Sequence, residues 1–227
     1  MSDGEAPHPA MRSYGRVKAR PIKPRQEALL KRLLPKLAIP EGAISAVDLA
    51  AWGGETWLEI GFGGGEHTAA QAERHSGVVI LGAEPFLNGM ASALRHIDDR
   101  GLTNVRLRLG DARQLLADLP DASLARVFIL FPDPWPKTRH KKRRLIQPDT
   151  VAELARVLRP SGRLRFATDW ADYAAWTLQR LTAAPAFRWT AERADEWRMP
   201  PADHVTTRYE TKGLGDCAPV FLEFERV

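Results

Sequence analysis

The chain has one cysteine, Cys217, in 227 residues, so no internal disulfide can staple it. It has no apolar run near the ~20 residues that a membrane-spanning helix needs, and no secretory leader is expected. These lacks lead to the expectation of a cytoplasmic protein with no membrane partner. The histidines, at positions 8, 67, 75, 96, 140 and 204, pair neither with the cysteine nor with one another at metal-ligand spacing. No metal site is expected. The chain has no internal repeat, and nothing in it fixes an oligomeric state.

What is present fits one sizeable α/β domain with an N-terminal extension. The apolar fraction of 44% is ordinary for a globular protein. The net charge of +5 suits an anionic partner without requiring one. Residues 1–25 are expected to form a flexible basic arm. They carry Arg12, Arg16, Lys18, Arg20, Lys23 and Arg25 against Asp3 and Glu5. The folded domain is expected over residues 26–227. It opens with a helix over 26–34, whose face is Leu29, Leu30, Leu33 and Leu34.

A regular alternation follows. Apolar runs predict strands over 56–60, 78–83, 105–109, 126–131 and 163–167. Helical stretches lie near 67–74, 87–99, 112–119, 149–158 and 171–181. Pro160-Ser161-Gly162 reads as the turn into the fifth strand, and late strands fall over 187–190 and 220–225. This order predicts a mostly parallel twisted sheet with helices on both faces, right-handed crossovers and a late antiparallel strand. In such sheets ligands sit beyond the carboxyl ends of the strands. The polar loops discussed next all follow strand ends.

Glu59-Ile60-Gly61-Phe62-Gly63-Gly64-Gly65 closes the first strand. A dinucleotide fingerprint spaces its glycines G-x-G-x-x-G. Here the spacing is E-x-G-x-G-x-G. S-adenosylmethionine has no pyrophosphate but carries an ammonium and a sulfonium, which favour carboxylates. Glu59 suits that role, directly or through water. Glu84 ends the second strand, where an acid can accept both ribose hydroxyls. Asp111 follows the third, where it can accept from the adenine amino group. Each acid alone also suits a helix cap or an ordinary loop. Three after three successive strands point to S-adenosylmethionine.

Phe131-Pro132-Asp133-Pro134-Trp135-Pro136-Lys137 follows the fourth strand and runs into Thr138–Arg144. Six of the eight residues from Lys137 to Arg144 are Lys or Arg. A proline-locked acid beside an aromatic ring suits a site that modifies a base. The cationic strip suits a phosphate backbone. Taken separately, the first is also a plain turn and the second a solvated surface cluster.

With these motifs the chain resembles the bacterial tRNA (guanine-N7)-methyltransferases. The resemblance rests on Leu-Glu-Ile-Gly-Phe-Gly-Gly-Gly (58–65), Gly-Ala-Glu (82–84), Phe-Pro-Asp-Pro-Trp-Pro-Lys (131–137), Ala-Thr-Asp-Trp (167–170) and Thr-Arg-Tyr-Glu (207–210). Two departures are Pro85 after Glu84, and Arg208-Tyr209 where Lys-Phe is common. The resemblance implies the class I methyltransferase fold and transfer of a methyl group from S-adenosylmethionine to N7 of guanine at tRNA position 46, in the variable loop. It implies that Glu59, Gly61, Gly63, Glu84, Asp111 and Asp133 line the cofactor site, with Asp133 also catalytic. Lys137, Asp169, Thr207, Arg208, Tyr209 and Glu210 would meet the substrate.

Guanine N7 carries a lone pair and no proton at neutral pH, so it can attack a sulfonium methyl without a general base. Orientation and water exclusion then dominate. Asp133 or Asp169 is placed to stabilise charge growing on the base. Trp135 or Trp170 is placed to stack, whereas Trp176 reads as core. Lys137 suits O6 or a phosphate. Arg139, Lys141, Lys142, Arg143 and Arg144 suit phosphates. Two alternatives remain open: a base methyltransferase acting on an exocyclic amine, and an RNA-binding protein with a vestigial cofactor fold.

Overall fold

The structure, a computed structural model, describes residues 21–227. Up to residue 20 the expected basic arm lies outside the described residues. Helix α1 (Pro24–Arg32) begins two residues before the expected start, with proline at its first turn, where the missing N–H costs nothing. Pro35 then breaks the expected helix, and α2 (Leu34–Leu37) starts afresh. Helix α3 (Ala46–Trp52), absent from the sequence-based expectation, is capped by Ser45, whose side chain accepts from Asp48 N while Asp48 accepts from Ser45 N.

The alternation then runs β1 (Glu55–Ile60), α4 (Glu66–Arg74), β2 (Val78–Glu84), α5 (Leu87–Arg100), β3 (Val105–Leu109), α6 (Ala112–Asp118) and β4 (Leu124–Leu130). A 3-10 turn (Thr138–Arg143), α7 (Pro148–Val157), β5 (Leu158–Thr168), α8 (Ala171–Ala183), β6 (Phe187–Trp189), α9 (Asp195–Arg198), a second 3-10 turn (Glu210–Lys212) and β7 (Val220–Arg226) complete it. The strands form one sheet in the order β3-β2-β1-β4-β5-β7-β6, and β7 is antiparallel to both of its neighbours. The Pro160–Gly162 turn is a bulge inside β5. Between the pairs Leu124↔Leu158 and Arg126↔Arg163, β5 takes five steps against two in β4.

Period-two alternation sorts the side chains to two cores. Leu58, Ile60, Val127, Ile129, Leu164 and Phe166 face α6, α7 and α8 through Leu115, Leu154 and Tyr173. Trp57, Ile80 and Phe128 face α1 and α5 through Leu29, Met90 and Leu94. Because the chain builds outward from β1 to β3 and then returns to β4, the crevice between β1 and β4 opens at their carboxyl ends.

Gly65 sets the spacing of α4 and α5. It starts α4 at φ 80°, and a Cβ there would lie 2.4 Å from Ala93 Cβ in α5. Gly65→Ala should therefore destabilise the fold by roughly 1–3 kcal/mol through overpacking, with about 1 kcal/mol more from the left-handed backbone. Urea denaturation checks this, and an unchanged midpoint would mean that α4 and α5 are not in tight contact there.

Candidate active site

The loop after β1 turns its backbone toward open space. Gly61 and Gly63 adopt φ 71° and 54°, and a Cβ on either would meet nothing within 4 Å. The loop is thus a cradle that side chains on these glycines would fill. Glu84, at the end of β2, closes one wall: Gly63 N and Phe86 N each donate to it at 2.8 Å. Burial pushes the Glu84 carboxyl up to about 7 against those two amides, and the charges of Asp133 and Glu59 add to the rise. Glu84 is therefore within electrostatic reach of both other acids. Glu59 is only 3% exposed. Its Oε2 accepts from Thr68 Oγ1 at 2.5 Å and lies 3.0 Å from His67 Nδ1.

Gly61, Asp111, Asp133, Trp135, Arg143 and Arg144 share one cleft of about 160 Å³. That is below the ~300–1,000 Å³ of a typical ligand pocket, so a cofactor here must also use the trough over Gly63 and Glu84. Asp111 caps α6 by accepting from Arg113 N at 2.9 Å, and it pairs with the Arg113 guanidinium at 2.5 Å. It caps α6 and also lines the cleft. Asp133 is exposed on the loop after β4. Phe131 and Trp135, at φ 51° and 43°, each precede a proline. Left-handed backbone at such residues is strained, and strain of this kind collects at functional sites.

Arg144 corrects the expectation of a phosphate contact. It is 2% exposed. Its Nε donates to the Pro134 carbonyl at 2.9 Å and its Nη2 to Asp172 at 2.5 Å, and its plane lies over Tyr173 and Trp176. Its donors are turned to the protein rather than to a phosphate backbone. Lys141 pairs with Asp172 at 2.8 Å and stays partly open. Arg139 and Lys142 are exposed, and Arg143 sits 5.0 Å over the Trp135 ring. Trp176 packs against the core, as expected, and donates to Ile146 O.

Asp169, at the end of β5, is 5% exposed. Its carbonyl accepts from Asp216 N and Cys217 N, and Tyr209 Oη lies 3.5 Å from its Oδ1. The Tyr209 ring is 5.6 Å from that of Phe131, which brings Thr207–Glu210 to the end of β4. Glu210 faces inward: it pairs with His204 at 2.8 Å and accepts from Thr207 N at 2.7 Å, so Glu210 and Thr207 shape the segment. Arg208 and Lys137 are exposed. Sequence reasoning missed His67, Gln71 and Asp203, described below. A helical i, i+4 pair of polar residues on α4 was the available signal.

A larger cavity of about 770 Å³ lies elsewhere, between the sheet and residues 190–203. Its arginines, among them Arg126 and Arg165, are matched by Asp203 and Glu223 at 2.5–3.6 Å. It is away from the carboxyl ends of β1 to β4, so the smaller cleft is the candidate reaction site. Among the described residues, no group of three or more His, Cys, Asp or Glu is arranged to hold a metal ion, and no helix is long and apolar enough to cross a membrane.

Residues 54–221 match the family model described as "Putative methyltransferase". A tRNA (guanine-N(7)-)-methyltransferase of Caulobacter vibrioides is 59% identical over 226 residues, covering all of both chains. One from Hyphomonas neptunium is 51% identical over 217 residues, covering 94% of this chain and 99% of its own. Among solved structures, a 16S rRNA (adenine(1408)-N(1))-methyltransferase variant from Catenulisporales acidiphilia, crystallised with its cosubstrate SAM, aligns with a TM-score of 0.56 at 15% identity. It covers 80% of this chain and 89% of its own. The 16S rRNA methyltransferase KamB aligns with a TM-score of 0.55 at 13% identity, covering 81% and 94%. At these identities the two structures speak to fold alone, and that fold is the class I methyltransferase sheet.

The raised Glu84 carboxyl has a consequence for stability. The folded chain holds this proton to about pH 7, whereas the unfolded chain releases it near 4.5. The contribution is fully present below the unfolded value and is lost as pH rises through 7. Between pH 4.5 and 8 the ligand-free protein should lose roughly 3 kcal/mol relative to Glu84→Gln. Chemical denaturation across that range checks it, and parallel curves for the two proteins would contradict it.

Proposed function

Because the chain belongs to the tRNA (guanine-N(7)-)-methyltransferase family, we propose that the cleft between β1 and β4 is where the methyl group and the guanine meet. The chain methylates N7 of guanine in tRNA. The observation that carries the proposed site is the convergence of the glycine cradle, Glu84, Asp111, Asp133 and Trp135 at the carboxyl ends of adjacent strands.

When bound, S-adenosylmethionine supplies an electrophilic methyl group on a sulfonium. The residues present fit it. Gly61 and Gly63 leave room for close approach to the backbone. Glu59 offers a buried carboxylate for the ammonium, Glu84 accepts from the ribose hydroxyls, and Asp111 accepts from the adenine amino group. Since guanine N7 needs no deprotonation, the protein's work is placement. Trp135 stacks on the base. Asp133, between two prolines, offsets the positive charge that grows on the ring. Lys137, Asp169, Arg208 and Tyr209 border the base, while Thr207 and Glu210 hold that border in shape. Arg139, Lys141, Lys142 and Arg143 meet phosphates, and the target lies in the variable loop.

Incubation with labelled S-adenosylmethionine and total tRNA, followed by nucleoside analysis, tests the reading. The expected product is N7-methylguanosine in the variable loop. A methylated exocyclic amine, or no product, contradicts it. Asp133→Ala should slow single-turnover transfer about 10²-fold, the scale of losing one preorganised electrostatic partner. Its tRNA affinity should change little, and Asp133→Asn should fall between the two proteins in rate. Normal turnover by Asp133→Ala at saturating cofactor and tRNA would remove Asp133 from the chemistry.

A further inference from the structure

Behind the glycine cradle runs a buried line of hydrogen bonds. His67 and Gln71 stand one turn apart on α4, 1% and 0% exposed, and the i, i+4 spacing puts them on one face. His67 Nδ1 lies 3.0 Å from Glu59 Oε2. Gln71 Nε2 lies 3.1 Å from His67 Nε2 and 2.8 Å from the Asp203 carbonyl.

Chemistry gives the line a direction. The Asp203 carbonyl only accepts, so the Gln71 amide nitrogen must face it. The same nitrogen reaches His67 Nε2, which is therefore the accepting ring nitrogen. That leaves the His67 proton on Nδ1, donated to Glu59. Thr68 Oγ1 donates to the same carboxylate oxygen. Glu59 is thus held by two donors from α4, and one of them is oriented by the Asp203 backbone. In so dry a setting each member depends on the others, because a buried polar group left unpaired costs more than a made bond gains.

The far end of the line is equally fixed. Gln71 and Arg74 both donate to the Asp203 carbonyl at 2.8 Å. Arg165 grips the Asp203 carboxylate at 2.6 Å and Arg126 at 3.0 Å. Although burial pushes that carboxyl up, these guanidinium groups hold it below its ordinary value. The next residue, His204, pairs with Glu210, and Tyr209 returns to Phe131 and Asp169. Residues 203–210 are therefore a strap, tied at one end to α4 and at the other to the end of β4.

We propose that His67 and Gln71 are positioning residues that couple occupancy of the cradle at Glu59 to the order of the strap, so that the bound cofactor sets the border of the base site. The proposal rests on the cofactor and substrate reading above. Such coupling is reciprocal, so tRNA should in turn tighten cofactor binding.

The test combines calorimetry with amide hydrogen exchange on the full chain, using S-adenosylmethionine alone as the probe. In the wild type, binding should slow exchange across residues 203–210 by about fivefold or more, within the usual size of a coupling between sites. Gln71→Met keeps the shape and removes both donors. It should still bind the cofactor, with the slowing over 203–210 lost. If Gln71→Met does not fold, His67→Leu makes the same comparison from the other side of the break. A wild type that binds no S-adenosylmethionine overturns the cofactor reading, and this proposal with it. Binding with no change in exchange over 203–210 overturns this proposal alone, as does a folded variant that keeps the full slowing.

Discussion

The Arg144 guanidinium is the point at which the loop after β4, the 3-10 turn and α8 are tied together. It donates to the carbonyl between Asp133 and Trp135, pairs with Asp172 on α8, and lies on Tyr173 and Trp176. A loop with two left-handed residues before prolines does not hold that shape by its own preferences. A buried planar fork with several donors can hold it, because leaving such a charge unpaired in the interior costs several kcal/mol. Asp133 and Trp135 owe their shared place in the cleft to this brace.

Charge is sorted by depth around the brace. Carboxylates of Glu59, Glu84 and Asp133 gather where a cationic cofactor would sit, and burial with mutual repulsion raises Glu84 to about 7. Cations of Arg139 and Lys142 lie outside, on the side where the proposed phosphate backbone would run. A cationic ligand beside these acids would offset their mutual repulsion. In the proposed reading the same acids serve recognition and transfer, with no general base required of the protein.

Much of this was legible in the sequence. The apolar runs of β1 to β4 were nearly continuous, so their positions were found within a residue or two. Their order named the end of the sheet at which the candidate site lies. The glycine cradle and the Pro-locked acid were visible because glycine and proline act through their own backbone chemistry. What stayed hidden depends on partners distant in sequence. Arg144 reads like its basic neighbours until Asp172 and Tyr173 fold over it. His67 and Gln71 look like surface residues of a polar helix until Glu59 and Asp203 meet them from either side. Helix α3 was missed although Ser45 and Asp48 form its capping box, because only Leu49 in it is buried and the apolar period is weak. The β5 bulge reads as a turn in the sequence, since only the pairing of Leu158 with Leu124 in β4 shows the strand continuing through it.

The brace and the basic strip make opposite demands on Arg144, and one comparison separates them. Arg144→Lys keeps the charge but lacks the planar fork that reaches Pro134 O and Asp172 together. Single-turnover formation of N7-methylguanosine and tRNA affinity should be measured side by side for this variant. The brace predicts that transfer falls about 10²-fold, as for reactants displaced by ~1 Å, while tRNA affinity stays near wild type. Wild-type transfer at saturation with weakened tRNA binding would contradict it, and would make Arg144 a phosphate contact after all.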